Sequence, residues 1–368
     1  MAITTQQIPL VDLAAQYATV RDEIERAWDD VLGSMHLLLG PNCEAFDREF
    51  AEMCGTREAV GVATGTDALH LALRALGVGE GDEVLTVSHT FFATLEAIRY
   101  TGARPVFVDV DDATALMDVD AALRKITGRT KAILPVHLYG RTVPLARLRA
   151  TGVPIVEDAC QAHGASLDVG GRAGSGGVAA AFSFYYSKNL GAYGEGGSIT
   201  TNDEALAARL RLLRHHGQES RYESVLVGYN ARPDELQAAV LRIKLRRLLG
   251  WNERRRAVAR RYDELLADLP VRRPPLPAGE EHVFHLYVIR TERRDALRSF
   301  LAEQGIGTGI HYPIPCHLQR GAADLGWRRG SLPVTEHLVD EILSLPIYPE
   351  LTDPQIERVA SAVRSFFR

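Results

Sequence analysis

Four short segments hold the residue types that covalent chemistry needs. In FSFYYSKNLGAYGEGG (182–197), Lys188 follows an apolar run and precedes glycines at 191, 194, 196 and 197. A stretch so poor in helix formers predicts a lysine that leaves a strand end into a tight turn. A lysine at the edge of a buried strand is costly unless its amine is paired or used covalently. The bland alternative is a surface lysine after an edge strand. In VEDACQAHGA (156–165), Asp158 ends the apolar run that begins at Pro154. That is the carboxyl end of a strand, where open α/β sheets hold ligands. A buried carboxylate there needs a cation or several donors; a helix-capping aspartate is the alternative. In ATGTDALHLAL (63–73), Gly65 and Thr66 open a helical pattern straight after a strand-like run. The free N–H groups and positive dipole end of such a helix suit a phosphate. An ordinary cap by Thr66 would give the same pattern. In GYNARPDELQ (228–237), Asn230 either stands in a plain turn or faces a ligand from just before a helix.

Together these segments offer an amine that can form an imine, a carboxylate and a phosphate cradle. Pyridoxal 5'-phosphate (PLP) requires those three things. Lys188 would hold its aldehyde as a Schiff base. Asp158 would keep the pyridine nitrogen protonated, so that the ring accepts electrons from a Cα–H bond. Gly65, Thr66 and Ser183 would hold the phosphate. Rival motifs fail on spacing. Gly77-Val78-Gly79-Glu80-Gly81 follows a helix and precedes a strand, the reverse of the dinucleotide context. The stretch 170–177 also misses that spacing. No phosphate loop of the Gly-x-x-x-x-Gly-Lys type, no Gly-x-Ser-x-Gly elbow and no zinc spacing is present. Phe184 stands where a short-chain dehydrogenase would need tyrosine.

The elements that must position these residues alternate. Short runs rich in Val and Ile (58–64, 82–88, 103–110, 131–140, 154–160 and 179–185) are separated by helix-like segments such as 66–76 and 91–102. Strand alternating with helix predicts an α/β fold, a mostly parallel sheet covered on both faces. Helix is also predicted over 17–53, with a break at Gly40-Pro41-Asn42. After residue 203 long helical segments take over, then a Pro-rich break at 270–281. A smaller α+β unit follows, with a strand at 285–291, a helix near 293–304 and a last helix after Pro354. This predicts a large domain over 1–250 and a small one over 251–368, with the N-terminal segment packing on the small one. The cluster Arg254–Arg256 is expected on a solvated helix face.

Composition narrows the class. The 368 residues carry 42 Lys+Arg against 47 Asp+Glu, a net charge of −5, with 46% hydrophobic residues. Such a chain buries a large core, so disorder is excluded. Scattered basic residues argue against nucleic acid as a partner. Uncharged stretches are too short for a membrane span, and the N-terminus reads as no signal peptide. Cys43, Cys54, Cys160 and Cys316 are widely spaced, which fits reduced thiols in a cytoplasm.

With these residues in place, the chain resembles the DegT/DnrJ/EryC1/StrS aminotransferases, from IPLVDLAAQY (8–17) to LSLPIYPELTDPQ (343–355). The resemblance implies the fold type I PLP architecture, like that of aspartate aminotransferase. It also implies a homodimer with shared active sites and action on nucleotide-linked keto sugars. It makes Lys188 the Schiff-base lysine, Asp158 the partner of the pyridine nitrogen and Gln161 a neighbour of the ring. Phe91 falls where the family stacks a residue on the ring face. Gly65, Thr66 and Ser183 match phosphate ligands, and Asn230 one donated by the neighbouring subunit. Some members are dehydratases with His in place of the lysine; Lys188 argues against that branch. Two departures, Tyr186-Ser187 for the usual Pro-Thr and Ala231 with Pro233 after the asparagine, would reshape the sugar pocket. For the sugar, the resemblance points to His311, Tyr312 and His317 in GIHYPIPCHLQ (309–319), to Tyr185 and to Arg221. Turn structure around Pro313 and Pro315 is the alternative for the two histidines. These residues favour amination at C3 over C4; the resemblance, not the residues, suggests a thymidine-diphosphate-linked 3-keto-6-deoxyhexose, with glutamate as donor in a ping-pong transamination by way of pyridoxamine phosphate. Amination at C4, amination of a keto-cyclitol, and a non-catalytic protein that binds a sugar nucleotide as a regulator are the alternatives.

Overall fold

The computed structural model describes residues 7–368. Residues 1–6, and with them part of the segment read as no signal peptide, lie outside the described residues. Two helices come first, α1 (Leu13–Ser34) and α2 (Pro41–Cys54). Asp12 caps α1 by accepting from the Ala15 N–H at 2.9 Å. Gly40 and Pro41 start α2, as the break in the pattern predicted. The alternating region then gives β1 (Glu58–Val62), α3 (Gly65–Ala75), β2 (Glu83–Val87), α4 (Ala93–Tyr100), β3 (Arg104–Val108), α5 (Val119–Lys125) and β4 (Thr130–Ile133). It continues with α6 (Ala146–Arg149), β5 (Val156–Asp158), β6 (Ala179–Ser183), β7 (Gly197–Thr201) and α7 (Glu204–Arg214). A hairpin, β8 (Gln218–Ser220) with β9 (Glu223–Ser224), leads to α8 (Glu235–Leu245) and α9 (Leu248–Leu265). The last elements are β10 (Tyr287–Arg290), α10 (Arg294–Glu303), α11 (Pro333–Glu341), β11 (Ile342–Leu345) and α12 (Asp353–Phe367).

The strands β1-β7-β6-β5 form one ladder and β3-β2-β4 another. Parallel bridges Ile133–Ile155 and Val136–Asp158 join them into one sheet. Within it β7 alone runs against its neighbours β1 and β6. The sheet is buried on both faces, which is why its strands read as near-continuous apolar runs. A second hydrophobic cluster gathers Val258, Tyr262, Tyr287, Ile289, Leu345 and Ile356 around the antiparallel β10–β11 pair. Ile8 belongs to that cluster and pairs with Ile306. Among the described residues no helix is long and apolar enough to cross a membrane.

Candidate active site

A cavity of about 470 Å³ opens where β1, β2, β5 and β6 end. These are carboxyl ends of strands that all run in one direction, the place where such sheets receive ligands. After β6 the chain folds back at once. The Phe184 N–H donates to Gly196 O at 2.7 Å, Ala192 N–H to Phe184 O at 2.8 Å, and Lys188 N–H to Tyr185 O at 2.8 Å. A β-carbon on Gly191 would stand 2.4 Å from the Tyr186 carbonyl oxygen, so glycine alone permits the turn. The turn brings Lys188 to the cavity wall. Its amine has no hydrogen-bond or ion-pair partner among the described residues. Burial pushes the ammonium below its ordinary pKa, and Cys160, Asp158 and Glu195 oppose the shift.

Asp158 ends β5, and its backbone is held on both edges. It pairs with Ala181 of β6, while its N–H donates to Pro135 O at 2.9 Å and its carbonyl accepts from His137 at 3.0 Å. The side chain is only 4% exposed. Thr94 Oγ1 donates to Asp158 Oδ2 at 2.8 Å and sits 2.8 Å from Thr90 Oγ1. Since Thr94 spends its proton on the carboxylate, Thr90 must be the donor of the second bond. The Cys160 N–H adds a longer bond to Oδ1 at 3.3 Å. All of these donors are neutral, so the anion has no cation bound to it.

Gln161 is clamped at both ends of its amide. Its Oε1 accepts from the Tyr139 N–H at 2.7 Å, and its Nε2 donates to Tyr312 Oη at 3.2 Å. Tyr139 Oη donates to the His311 carbonyl at 2.6 Å. Phe91 faces the same cavity with its ring centroid 5.6 Å from that of Tyr312.

The start of α3 forms the remaining wall. Thr64, not Thr66, is its cap, accepting from the Asp67 N–H at 3.0 Å. The N–H groups of Gly65 and Thr66 have no acceptor among the described residues. A β-carbon on Gly65 would lie 2.5 Å from Ser183 Cβ, and one on Gly197 would lie 2.2 Å from Thr64 O. Glycine at both positions lets the helix start sit directly on the ends of β6 and β7. The residues present therefore fit PLP. An amine without partners, an anion without a cation and an open helix start line one cavity.

A family model of the DegT/DnrJ/EryC1/StrS aminotransferase family matches residues 18–364. The chain belongs to that family. The dTDP-3-amino-3,4,6-trideoxy-alpha-D-glucose transaminase of Streptomyces venezuelae is 48% identical over 367 residues, covering 98% of this chain and 97% of that protein. The crystal structure of S. venezuelae DesV in complex with a ketimine intermediate superposes with a TM-score of 0.95 at 47% identity, covering 99% of both chains. The PLP form of Spr1654 from Streptococcus pneumoniae gives a TM-score of 0.88 at 26% identity, over 98% of this chain and 97% of that one. The chain is thus a PLP-dependent aminotransferase with the expected α/β fold.

The aminotransferase brings Gly65, Thr66, Phe91, Asp158, Gln161, Ser183, Tyr185, Lys188, His311 and Tyr312 to one cavity. Three of the residues named from sequence stand apart from it. His317 is buried away from the cavity, with Nδ1 2.7 Å from Ser88 Oγ and Nε2 3.1 Å from Glu336 Oε1. Both ring nitrogens are used in tying a loop to β2 and α11, so His317 cannot face a sugar there. Arg221 lies on the exposed β8–β9 hairpin, its Nη2 donating to Tyr222 Oη at 3.2 Å. Asn230 is exposed and accepts from Arg232 Nη2 at 2.8 Å. A second correction concerns Arg254–Arg256, expected on a solvated face. Arg254 pairs with Asp353, Arg256 is buried against Glu253 and Glu280, and Arg255 is buried and lines the cavity. Sequence reading also missed Thr90, Thr94, Tyr139 and His285. None of them belongs to a spaced motif; only their place after a strand end, at 90 and 94, hinted at the site.

Proposed function

We propose that the chain transfers an amino group from glutamate to C3 of a nucleotide-linked 3-keto-6-deoxyhexose, dTDP-linked as for the Streptomyces venezuelae relative. The observation that supports this reading most is the single cavity that joins the unpartnered Lys188 amine to the Asp158 carboxylate, in a chain 48% identical to that transaminase along nearly its whole length. PLP, when bound, supplies an aldehyde that takes up the donor's amine and a ring that accepts the electrons of the broken Cα–H bond. The residues of the chain supply the rest. Lys188 Nζ, with its pKa lowered by burial, reaches its neutral form more readily; it would hold the aldehyde between turnovers and, once displaced by the donor's amine, would take the donor Cα proton and return it on the cofactor side. Asp158, oriented by Thr94, would hold a positive charge at the ring nitrogen. Gly65, Thr66 and Ser183 would receive the phosphate, Phe91 would cover a ring face, and Gln161, fixed by the Tyr139 N–H, would lie beside the ring. His311, Tyr312 and Tyr185 stand where the sugar enters. Arg221 and Asn230 lie outside their own cavity and serve the neighbouring subunit's site in a homodimer.

The test is a panel of dTDP-linked 3-keto and 4-keto sugars and a keto-cyclitol, each with glutamate or glutamine, with products identified by mass spectrometry and NMR. Amination at C3 with glutamate is expected. Turnover confined to a 4-keto sugar or to the cyclitol would overturn the proposed position.

A further inference from the structure

We propose that His285 is the positioning residue for the Lys188 amine, its Nε2 accepting a hydrogen bond from Nζ whenever that amine is not bonded to the cofactor; this rests on the transaminase reading above. A chain of amides fixes which nitrogen of the imidazole is bare. Asn252 Nδ2 donates to the His163 carbonyl at 2.8 Å, and a carbonyl oxygen only accepts. Asn252 Oδ1 therefore faces Asn189, whose Nδ2 donates to it at 3.0 Å and to the Val283 carbonyl at 3.1 Å. That leaves Asn189 Oδ1 turned to His285 Nδ1 at 3.2 Å, so Nδ1 carries the proton. A second proton on the ring is disfavoured. Burial drives His285 well below its ordinary pKa, and Lys188, Arg255, His311 and His163 push the same way. A neutral ring protonated at Nδ1 keeps a lone pair on Nε2.

His285 and Lys188 line the same cavity. Neither Nε2 nor Nζ has a hydrogen-bond partner among the described residues, and packing seals neither of them off. An acceptor without a donor and a donor without an acceptor thus share one space. Asn189, the residue after Lys188, ties the imidazole to the turn that carries the lysine. Cys160, Asp158 and Glu195 act on the amine through charge alone. His163 cannot take the role: its Nε2 lies 3.0 Å from the Ser183 carbonyl, to which it donates, and its Nδ1 is sealed in packing. The flexible stem of lysine lets Nζ swing between the cofactor and His285. Held there, the free amine keeps one direction from which to take the donor proton.

The test reads Lys188 directly in the full-length chain freed of cofactor. Acetic anhydride labels the amine over a series of pH values, and mass spectrometry of the Lys188 peptide gives its titration curve. His285→Phe keeps a planar ring and removes the lone pair. The ammonium then loses its acceptor, so the midpoint should fall by about one pH unit or more. His285→Gln keeps an acceptor and should restore the wild-type midpoint. In the PLP-loaded enzyme, the amine of His285→Phe is neutral more often but no longer aimed. Its kcat should drop roughly tenfold or more, with the KM of glutamate and of the keto-sugar nucleotide unchanged. More labelling with less turnover is a pairing that a merely structural role does not produce. His285→Leu carries the test if phenylalanine prevents folding. An unaltered Lys188 midpoint in a folded Phe or Leu variant overturns the assignment. So does a change confined to either KM, which would make His285 a substrate contact. Labelling needs no cofactor, so it judges His285 by itself. A wild type that shows no imine absorption with PLP overturns the transaminase reading instead.

Discussion

Thr94 and Asp158 form a pair in which a hydroxyl aims a carboxylate into the cavity. Thr94→Val keeps the shape and removes the donor, leaving a buried acceptor short of one bond. That costs roughly 1–3 kcal/mol, so kcat/KM should fall between about fivefold and a hundredfold. Asp158→Asn keeps the size and removes the charge. Turnover should then drop on the order of a hundredfold or more, while the thermal midpoint moves by only a few degrees. A thermal scan beside the kinetics separates the two effects. Lys188 and Asp158 were legible in the sequence because an amine or a carboxylate after an apolar run is conspicuous, whereas Gln161 came only from the family resemblance. Thr90, Thr94 and Arg255 were not, since a hydroxyl or a guanidinium looks the same on a surface as in a site. Three consecutive arginines read as one solvated face, yet successive helix residues point about 100° apart, and these three meet different surroundings.

The junction of β1 with α3 shows how an element serves the site. Gly65→Ala would push a β-carbon to 2.5 Å from Ser183 Cβ, and the start of α3 must retreat. Overpacking of this kind costs about 1–3 kcal/mol, so PLP affinity, read by absorbance titration, should weaken by roughly five- to a hundredfold. The six predicted strands all formed, because runs of Val, Ile and Ala covered on both faces leave a plain trace. β7 left none. Its sequence, Gly-Ser-Ile-Thr-Thr, has one large apolar residue; it is a strand because its backbone pairs with β1 on one edge and β6 on the other, while Thr200 and Thr201 bond through their hydroxyls to Gly174 O and Val178 O. β11 escaped notice because it follows α11 with no turn residue between them.

At the scale of the whole molecule, a shared site predicts complementation. Lys188→Ala and Asn230→Ala should each be inactive or weak alone. Mixed after co-expression, half of the dimers would carry one intact site, so about a quarter of wild-type activity should return. Sedimentation should show a dimer. On the described chain, Tyr222 is 82% and Val227 91% exposed beside Arg221 and Asn230, a surface that a partner would cover. Buried neutral histidines make acid destabilising, against a smaller opposing effect from Asp47, whose carboxyl burial raises to about 6. Burial lowers His89 to about 4, and His163 and His282 to about 3, from an ordinary 6.5. Below pH 6.5 the unfolded chain takes up protons that the folded chain refuses. Stability is therefore full above pH 6.5 and falls as the pH drops toward 4, by roughly 1.4 kcal/mol per pH unit for each histidine. Urea midpoints taken at neutral and mildly acidic pH should decline accordingly.

One rod spans both cores: α9 buries Leu248 among the sheet-side residues and Val258, Ala259 and Tyr262 among those of the β10–β11 side. On the same rod, Asn252 bonds to Asn189 and to the His163 carbonyl, while Arg255 reaches the cavity. Chimeras with homologous enzymes should consequently be spliced outside residues 248–265. Losing a single residue early in the rod would turn everything beyond the deletion by about a quarter of a revolution, swinging Arg255 away from the cavity and Val258, Ala259 and Tyr262 out of the β10–β11 core together.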